Sequence, residues 1–340
     1  MLSGVAAWIH PELARWWKVE LAGDSERPPW VWTTYRRHEA RRHGGNVMST
    51  PSKGSQAEQA ETIVEFEKRQ VERANSLNKQ PVVFVHGLWL LPSSWNRWTE
   101  MFEAAGFTAL TPGWPDDPST VQEANANPEV MAGKTVGQIA DHYEEIIREL
   151  KIKPAVIGHS FGGLLTQILA GRGLSAVTVA IDPAPFRGVL PLPIAALKSS
   201  WPVLHNPANR DRAIPLTYDQ FRYAFGNMVS EDEAQDLYKT FAVPGSGATL
   251  FQAATANLNP WTEAKVDVAN PKRGPLLIIS GDKDHTVPPA MAHAAYDQQK
   301  KNPGVTEFLE MKGRGHSLTI DSRWREVADK ALAFVRGVVG

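Results

Sequence analysis

The sequence predicts an α/β fold: a doubly wound, mostly parallel sheet with an inserted, mainly helical cap. Three observations point there. Short apolar runs rich in Val and Ile alternate with helix-period segments from residue 81 to residue 182. The alternation resumes at residue 275 and continues almost to the last residue. Between these stretches, residues 186–265 lose the strand signal and carry helical patterning with many aromatics. Alternating strands and helices imply parallel pairing, because parallel neighbours need a long crossover and cannot be joined by a tight hairpin.

Taken in order, residues 1–60 read as an irregular N-terminal extension. Trp8, Trp16, Trp17, Trp30 and Trp32 crowd with Arg36, Arg37, Arg41 and Arg42 without a helical or strand period. Two origins are open: a functional amphipathic or disordered extension, or upstream sequence translated from a start codon set too early. The second is favoured, since Met48-Ser49-Thr50 opens a polar N-terminus. No basic start leads into an apolar core, so no secretory signal is expected. Residues 51–60 read as polar linker. The first part of the core spans 61–185, with a helix over 61–76, strand 81–86, helix 95–105, strand 107–111, helix 135–150, strand 154–158, helix 162–171 and strand 175–182. The cap spans 186–265, hinged by Leu190-Pro191-Leu192-Pro193 and Asn259-Pro260-Trp261. The second part of the core spans 266–340, with strand 275–280, helix 289–300, strand 305–310 and a helix near 321–336. A main sheet of six strands follows.

Four motifs fall at the ends of these strands. Gly158-His159-Ser160-Phe161-Gly162 follows the apolar run Ala155-Val156-Ile157 and leads into a helix, the context that gives a G-x-S-x-G pattern meaning. Gly281-Asp282-Lys283-Asp284-His285-Thr286-Val287-Pro288 follows the strand Leu276–Ser280, and Gly315-His316-Ser317 follows a strand near Phe308. Upstream, Val85-His86-Gly87-Leu88-Trp89 closes the first strand. Open α/β sheets bind ligands at the carboxyl ends of strands, and all four motifs sit there.

The order Ser, Asp, His, each just past a strand, resembles the α/β-hydrolase superfamily, in its serine hydrolase branch. The motifs are also similar to the esterase and cofactor-free haloperoxidase group. The resemblance covers residues 80–185 and 266–338, and departs from the family in lacking its usual opening β-hairpin. It implies the α/β-hydrolase fold and a nucleophile, acid and base at Ser160, Asp284 and His316. A serine hydroxyl needs such a base to take its proton during attack, and a carboxylate behind the base fixes the imidazole tautomer. The resemblance also implies an oxyanion hole formed by the N–H groups of Leu88 and Phe161. Trp89, Leu90, His159 and Phe186 are candidate pocket residues.

The acid is left open among three carboxylates. Asp284 fits the family pattern and is favoured. Asp282 reads as a turn residue that bonds its own backbone, and Asp182 ends the strand after the nucleophile helix. His159 is expected to pack against the sheet, His86 to brace the oxyanion loop and His285 to lie at the surface. Asp116 and Asp117 read as turn residues. No paired histidines on a helix suggest a metal, and no cofactor is expected.

Composition narrows the function classes. Hydrophobic residues are 42% and charged residues 21% of 340, with a formal net charge of −1, which gives no support for a nucleic-acid or anionic-membrane partner. The chain has no cysteine, which excludes disulfides and thiolate chemistry and is compatible with an expected cytoplasmic location. No apolar run reaches the roughly 18 residues of a spanning helix. The partner expected is a small-molecule ester; nothing in the patterning specifies an oligomeric state. The leading expectation is hydrolysis of a small to medium, largely apolar carboxylic ester or lactone. A perhydrolase or haloperoxidase, a carbon–carbon bond hydrolase, and a non-enzymatic ligand-binding protein of the same fold are the alternatives.

Overall fold

Val82, Val83, Phe84 and Val85 are wholly buried in β1 (Pro81–Val85), the first strand of a parallel sheet. The computed structural model describes residues 54–340, with side chains from residue 65 onward. Most of the expected N-terminal extension, residues 1–53, therefore lies outside the described residues. After β1 come β2 (Thr108–Leu110), β3 (Ala155–His159) and β4 (Val177–Ile181). A small antiparallel pair follows, β5 (Ala213–Ile214) with β6 (Gly245–Ser246). β7 (Leu276–Gly281) and β8 (Thr306–Met311) complete the main sheet, whose order is β2-β1-β3-β4-β7-β8 with every pairing parallel. Six strands agree with the sequence expectation.

The apolar continuity of β1, β3, β4 and β7 has a physical cause: helices cover both faces of a parallel sheet, so no alternation survives. Edge strand β8 is partly exposed and carries Glu307 and Glu310, which blunt further pairing.

The helix α1 (Gly54–Leu77) begins inside the stretch expected to be linker or irregular extension. Its first turns are rich in Gln, Ala and Glu, good helix formers that let a helix anchored further on extend backwards. α2 (Asn96–Ala104) buries Trp98, Met101 and Phe102, the spacing of one helical face. α3 (Val121–Ala126) went unread in the sequence, although Thr120 and Glu123 form a complete capping box around its first turn. α4 (Val136–Arg148) carries a second such box, Thr135 with Gln138. α5 (Phe161–Gly171) is buried along its whole length.

The insertion between β4 and β7 contains α6 (Ile194–Leu204), α7 (Tyr218–Ala224), α8 (Glu231–Phe241) and α9 (Gly247–Thr255). The chain closes with α10 (Pro289–Gln299) and α11 (Trp324–Val339), the latter starting later and ending later than expected. α2 and α11 share one core with the sheet, where Phe84, Trp95 and Trp98 pack with ring centroids 5.1 to 6.3 Å apart.

Candidate active site

β3 ends at His159 and α5 begins at Phe161, so Ser160 alone makes the turn, at φ 58° and ψ −120°. A non-glycine residue there is strained and persists only where its surroundings hold it. Here the Ser160 N–H donates to Ile181 O (2.9 Å), while Ser160 O accepts from Leu164 N (3.1 Å) and Ala184 N (2.9 Å). The turn also needs glycine at 162, where a Cβ would stand 2.0 Å from Val85 O.

Ser160 Oγ lies 3.0 Å from His316 Nε2, and His316 Nδ1 lies 2.6 Å from Asp284 Oδ2. All three residues are buried. Asp284 Oδ1 accepts from the N–H groups of Thr286 (2.6 Å) and Val287 (2.9 Å), which fixes the rotation of the carboxylate. Burial works to raise the Asp284 pKa, but His316, a hydrogen bond with Asp182 and the Val287 N–H outweigh it and leave the group below its usual value. This is the pattern of an anion with a donor-only role for Nδ1, leaving Nε2 free to accept from the serine hydroxyl.

The other two carboxylates are placed differently. Asp282 reaches the histidine loop, its Oδ1 accepting from Gly313 N (2.7 Å) and Arg314 N (3.4 Å). It ties two loops together, where the sequence suggested a bond to its own turn. Asp182 is fully buried beside Asp284, with Oδ1 accepting from Gly281 N at 2.8 Å.

His159 is buried with its ring centroid 4.6 Å from that of His316. Burial and the neighbouring His316 push its pKa well below the ordinary histidine value, so it is neutral at physiological pH. His285 is not a surface residue as expected: it is half-buried, stacks on Tyr223 at 4.5 Å and has Nδ1 3.1 Å from Tyr223 O.

His86 braces the loop after β1, as the sequence suggested, through a partner the sequence missed. Its Nδ1 lies 3.0 Å from Gly87 O and its Nε2 lies 3.0 Å from Asp117 Oδ2. The Asp117 carboxylate also accepts from Trp114 N (2.9 Å) and from Lys134 Nζ (2.5 Å). All of these side chains are buried. Asp117 closes a turn as expected, its N–H donating to Trp114 O at 3.0 Å, and its carboxylate is also the hub of an internal ionic cluster that the sequence did not suggest. Burial alone would raise its pKa, yet the His86 and Lys134 contacts bring it below the usual carboxylate value. Its stabilising contribution is therefore complete above the ordinary carboxylate range and is lost as pH falls through its depressed folded value. Lys134→Met strands the buried carboxylate, and we expect it to cost about 3–5 kcal/mol in denaturant melts at neutral pH. A loss under about 1 kcal/mol would show that water replaces the lysine.

Leu88, Trp89, Leu90, Phe161 and Phe186 are all buried. Trp89 sits at φ 65°, donates from Nε1 to Ile214 O (3.0 Å) and accepts at its carbonyl from Val243 N (3.1 Å). Phe225, singled out by no motif, stands edge-on to His316 at 4.9 Å, and Phe225 O accepts from Ser317 N at 3.2 Å. Its only sequence signal was the aromatic richness of the insertion.

The model of the alpha/beta hydrolase family matches residues 82–330. The chain belongs to this family. This alpha/beta hydrolase is similar in fold to a monoacylglycerol lipase from Paleococcus ferrophilus (TM-score 0.52, 20% identity, 75% of this chain and 93% of that one). It is likewise similar to an extracellular α/β-hydrolase from a Paenibacillus species (TM-score 0.53, 23% identity, 75% and 98%). A Mycobacterium tuberculosis H37Rv protein provisionally assigned as a non-heme bromoperoxidase gives a TM-score of 0.55 at 19% identity, over 77% and 93% of the chains. At these identities the likeness is one of fold. Among the described residues, no helix of the hydrolase is long and apolar enough to cross a membrane.

Proposed function

We propose that the chain is a serine hydrolase that cleaves a small to medium, largely apolar carboxylic ester or lactone through an acyl-enzyme on Ser160. The observation that carries this reading is His316 standing between the Ser160 hydroxyl (3.0 Å) and the Asp284 carboxylate (2.6 Å). His316 Nε2 takes the hydroxyl proton as Oγ attacks the carbonyl, and then gives it to the leaving alcohol. Asp284 holds Nδ1–H and stabilises the imidazolium.

Negative charge on the substrate oxygen falls to the N–H groups of Phe161 and Leu88. Phe161 opens α5, and the first N–H groups of a helix have no intrahelical acceptor. Gly87 supports the same geometry: a Cβ there would stand 2.9 Å from Ser160 Cβ, so the loop can approach the nucleophile only without one. Water then enters, His316 removes its proton, and the acid product leaves. Trp89, Leu90, Phe186 and Phe225 supply apolar walls for the acyl or alcohol group.

A 4-nitrophenyl ester series from acetate to palmitate tests the reading. We expect multiple turnovers with a chain-length optimum, and a fluorophosphonate should add its mass to the peptide containing Ser160. No turnover and no labelling in folded protein would overturn it. The bromoperoxidase-like fold relative supports a second use of the same acyl-enzyme, in which hydrogen peroxide replaces water and releases a peracid. That reaction would appear as peroxide-dependent peracid formation that disappears with Ser160→Ala.

A further inference from the structure

Asp182 is buried completely, at the end of β4, with φ +40°. A carboxylate in that position needs donors, and it has one: Gly281 N–H on Oδ1. Its other oxygen, Oδ2, is buried with no donor to bond. Its neighbour is Asp284: an Asp182 oxygen lies within 4.8 Å of a ring nitrogen of His316, the same imidazole that Asp284 Oδ2 meets at 2.6 Å, and the two carboxyls interact. Asp284 already accepts from His316 Nδ1–H and from the N–H groups of Thr286 and Val287. Two adjacent buried carboxyls do not both ionise, and the one with more donors keeps the charge. That one is Asp284. A proton on Asp182 Oδ2 turns an orphaned acceptor into a donor, and Asp284 is the neighbouring carboxylate able to accept it.

We propose that Asp182 is a positioning residue of the triad, a neutral carboxylic acid that donates its Oδ2 hydrogen to Asp284 and keeps that carboxylate an oriented, weakly basic acceptor for His316. The proposal rests on the serine hydrolase reading for its catalytic consequence. The groups facing Asp182 are Asp284 past β7, His159 at the end of β3, and Arg314 and His316 in the loop past β8. His159 is held neutral, and Arg314 is engaged elsewhere, donating from Nη2 to Asp321 Oδ1 at 2.6 Å and to Leu318 O at 3.2 Å. Burial first, then the Asp284 charge, raises the Asp182 pKa well above the ordinary carboxylate range, against the smaller pull of Gly281 and Arg314. The extra hydrogen bond makes Asp284 a poorer base, so the Nδ1 proton stays on the imidazole while Nε2 takes the one from Ser160.

Two substitutions separate the roles. Asp182→Asn keeps an acceptor for Gly281 N–H and a permanent donor for Asp284, whereas Asp182→Leu removes both. Asp182→Asn should retain most of kcat, and Asp182→Leu should lose about 10- to 100-fold in kcat with KM little changed, the range for a hydrogen bond to a charged group. Equal losses in both variants would overturn the proposal. Two readouts need no activity. Infrared difference spectra of wild type minus Asp182→Asn at neutral pH should show one buried carboxylic-acid C=O stretch; a carboxylate pair of bands instead would overturn the proposal. Thermal melts should find Asp182→Asn more stable than wild type by a margin that widens from the ordinary carboxylate range up to neutral pH. There the unfolded wild-type chain releases a proton that the folded one keeps. A margin that shrinks with pH would mean that Asp182 is ionised in the fold. If wild type turns over no ester, the proposed function falls, while the infrared and melting arms still decide the state of Asp182.

Discussion

Ser160→Ala is expected to lower kcat on the best ester by about six orders of magnitude, the loss seen when a triad serine is removed from a comparable machine. The size of the effect follows from the covalent route. Without Oγ there is no acyl-enzyme, and His316 can at most activate water against an ester held for attack from another direction. The substitution removes one oxygen from a residue whose backbone is held by Ile181, Leu164 and Ala184, so the fold should melt close to wild type. Kinetics with a burst assay and circular dichroism on the same preparation check both halves. A residual rate within about a hundredfold of wild type would move the nucleophile elsewhere.

Asp284→Asn should cost about 10⁴-fold in kcat, through the tautomer of the base. The surroundings dictate how the amide sits. Thr286 and Val287 N–H both point at Oδ1, so the amide oxygen takes that position and the NH2 faces His316. His316 must then accept at Nδ1 and carry its proton at Nε2, where it opposes Ser160 and cannot take its hydrogen. KM should change little, since no substrate contact is lost. A drop of only a few fold would pass the role of triad acid to Asp182, the other carboxyl buried in the same cluster.

Much of the scaffold is legible because its strands are covered on both faces. Val82–Val85 and Leu276–Ile279 read as unbroken apolar runs, and each is followed by a turn bearing a chemical residue. Ser160, Asp284 and His316 are readable for the same reason: each lies within about five residues of a strand end, so sequence order stands in for spatial order. α3 is harder, since six residues give too few turns for a periodic signal and only the capping box marks it. The insertion is harder still. Leu190, Ile194, Trp201 and Trp261 are exposed while Trp95 and Trp98 are fully buried, and nothing local in the sequence separates the two sets. Asp117 sits in Pro-Asp-Asp-Pro, a turn by composition, and its lysine partner is 17 residues away. Pairings set by tertiary approach leave no short-range trace. The protonation relation between Asp182 and Asp284 belongs to that class.

The tie between Trp89 and the insertion bears on how such enzymes can be rebuilt. Residue 89 follows directly on the loop that faces Ser160, yet its side chain bonds the carbonyl of Ile214 and its own carbonyl takes the Val243 N–H. At Gly245 a Cβ would stand 2.7 Å from the Trp89 indole nitrogen. Residues 186–265 therefore cannot be treated as an interchangeable cassette. A chimera that borrows this segment from a relative should respond as though the loop facing Ser160 had been mutated as well, unless residue 89 and the three sites that clasp it are transplanted together.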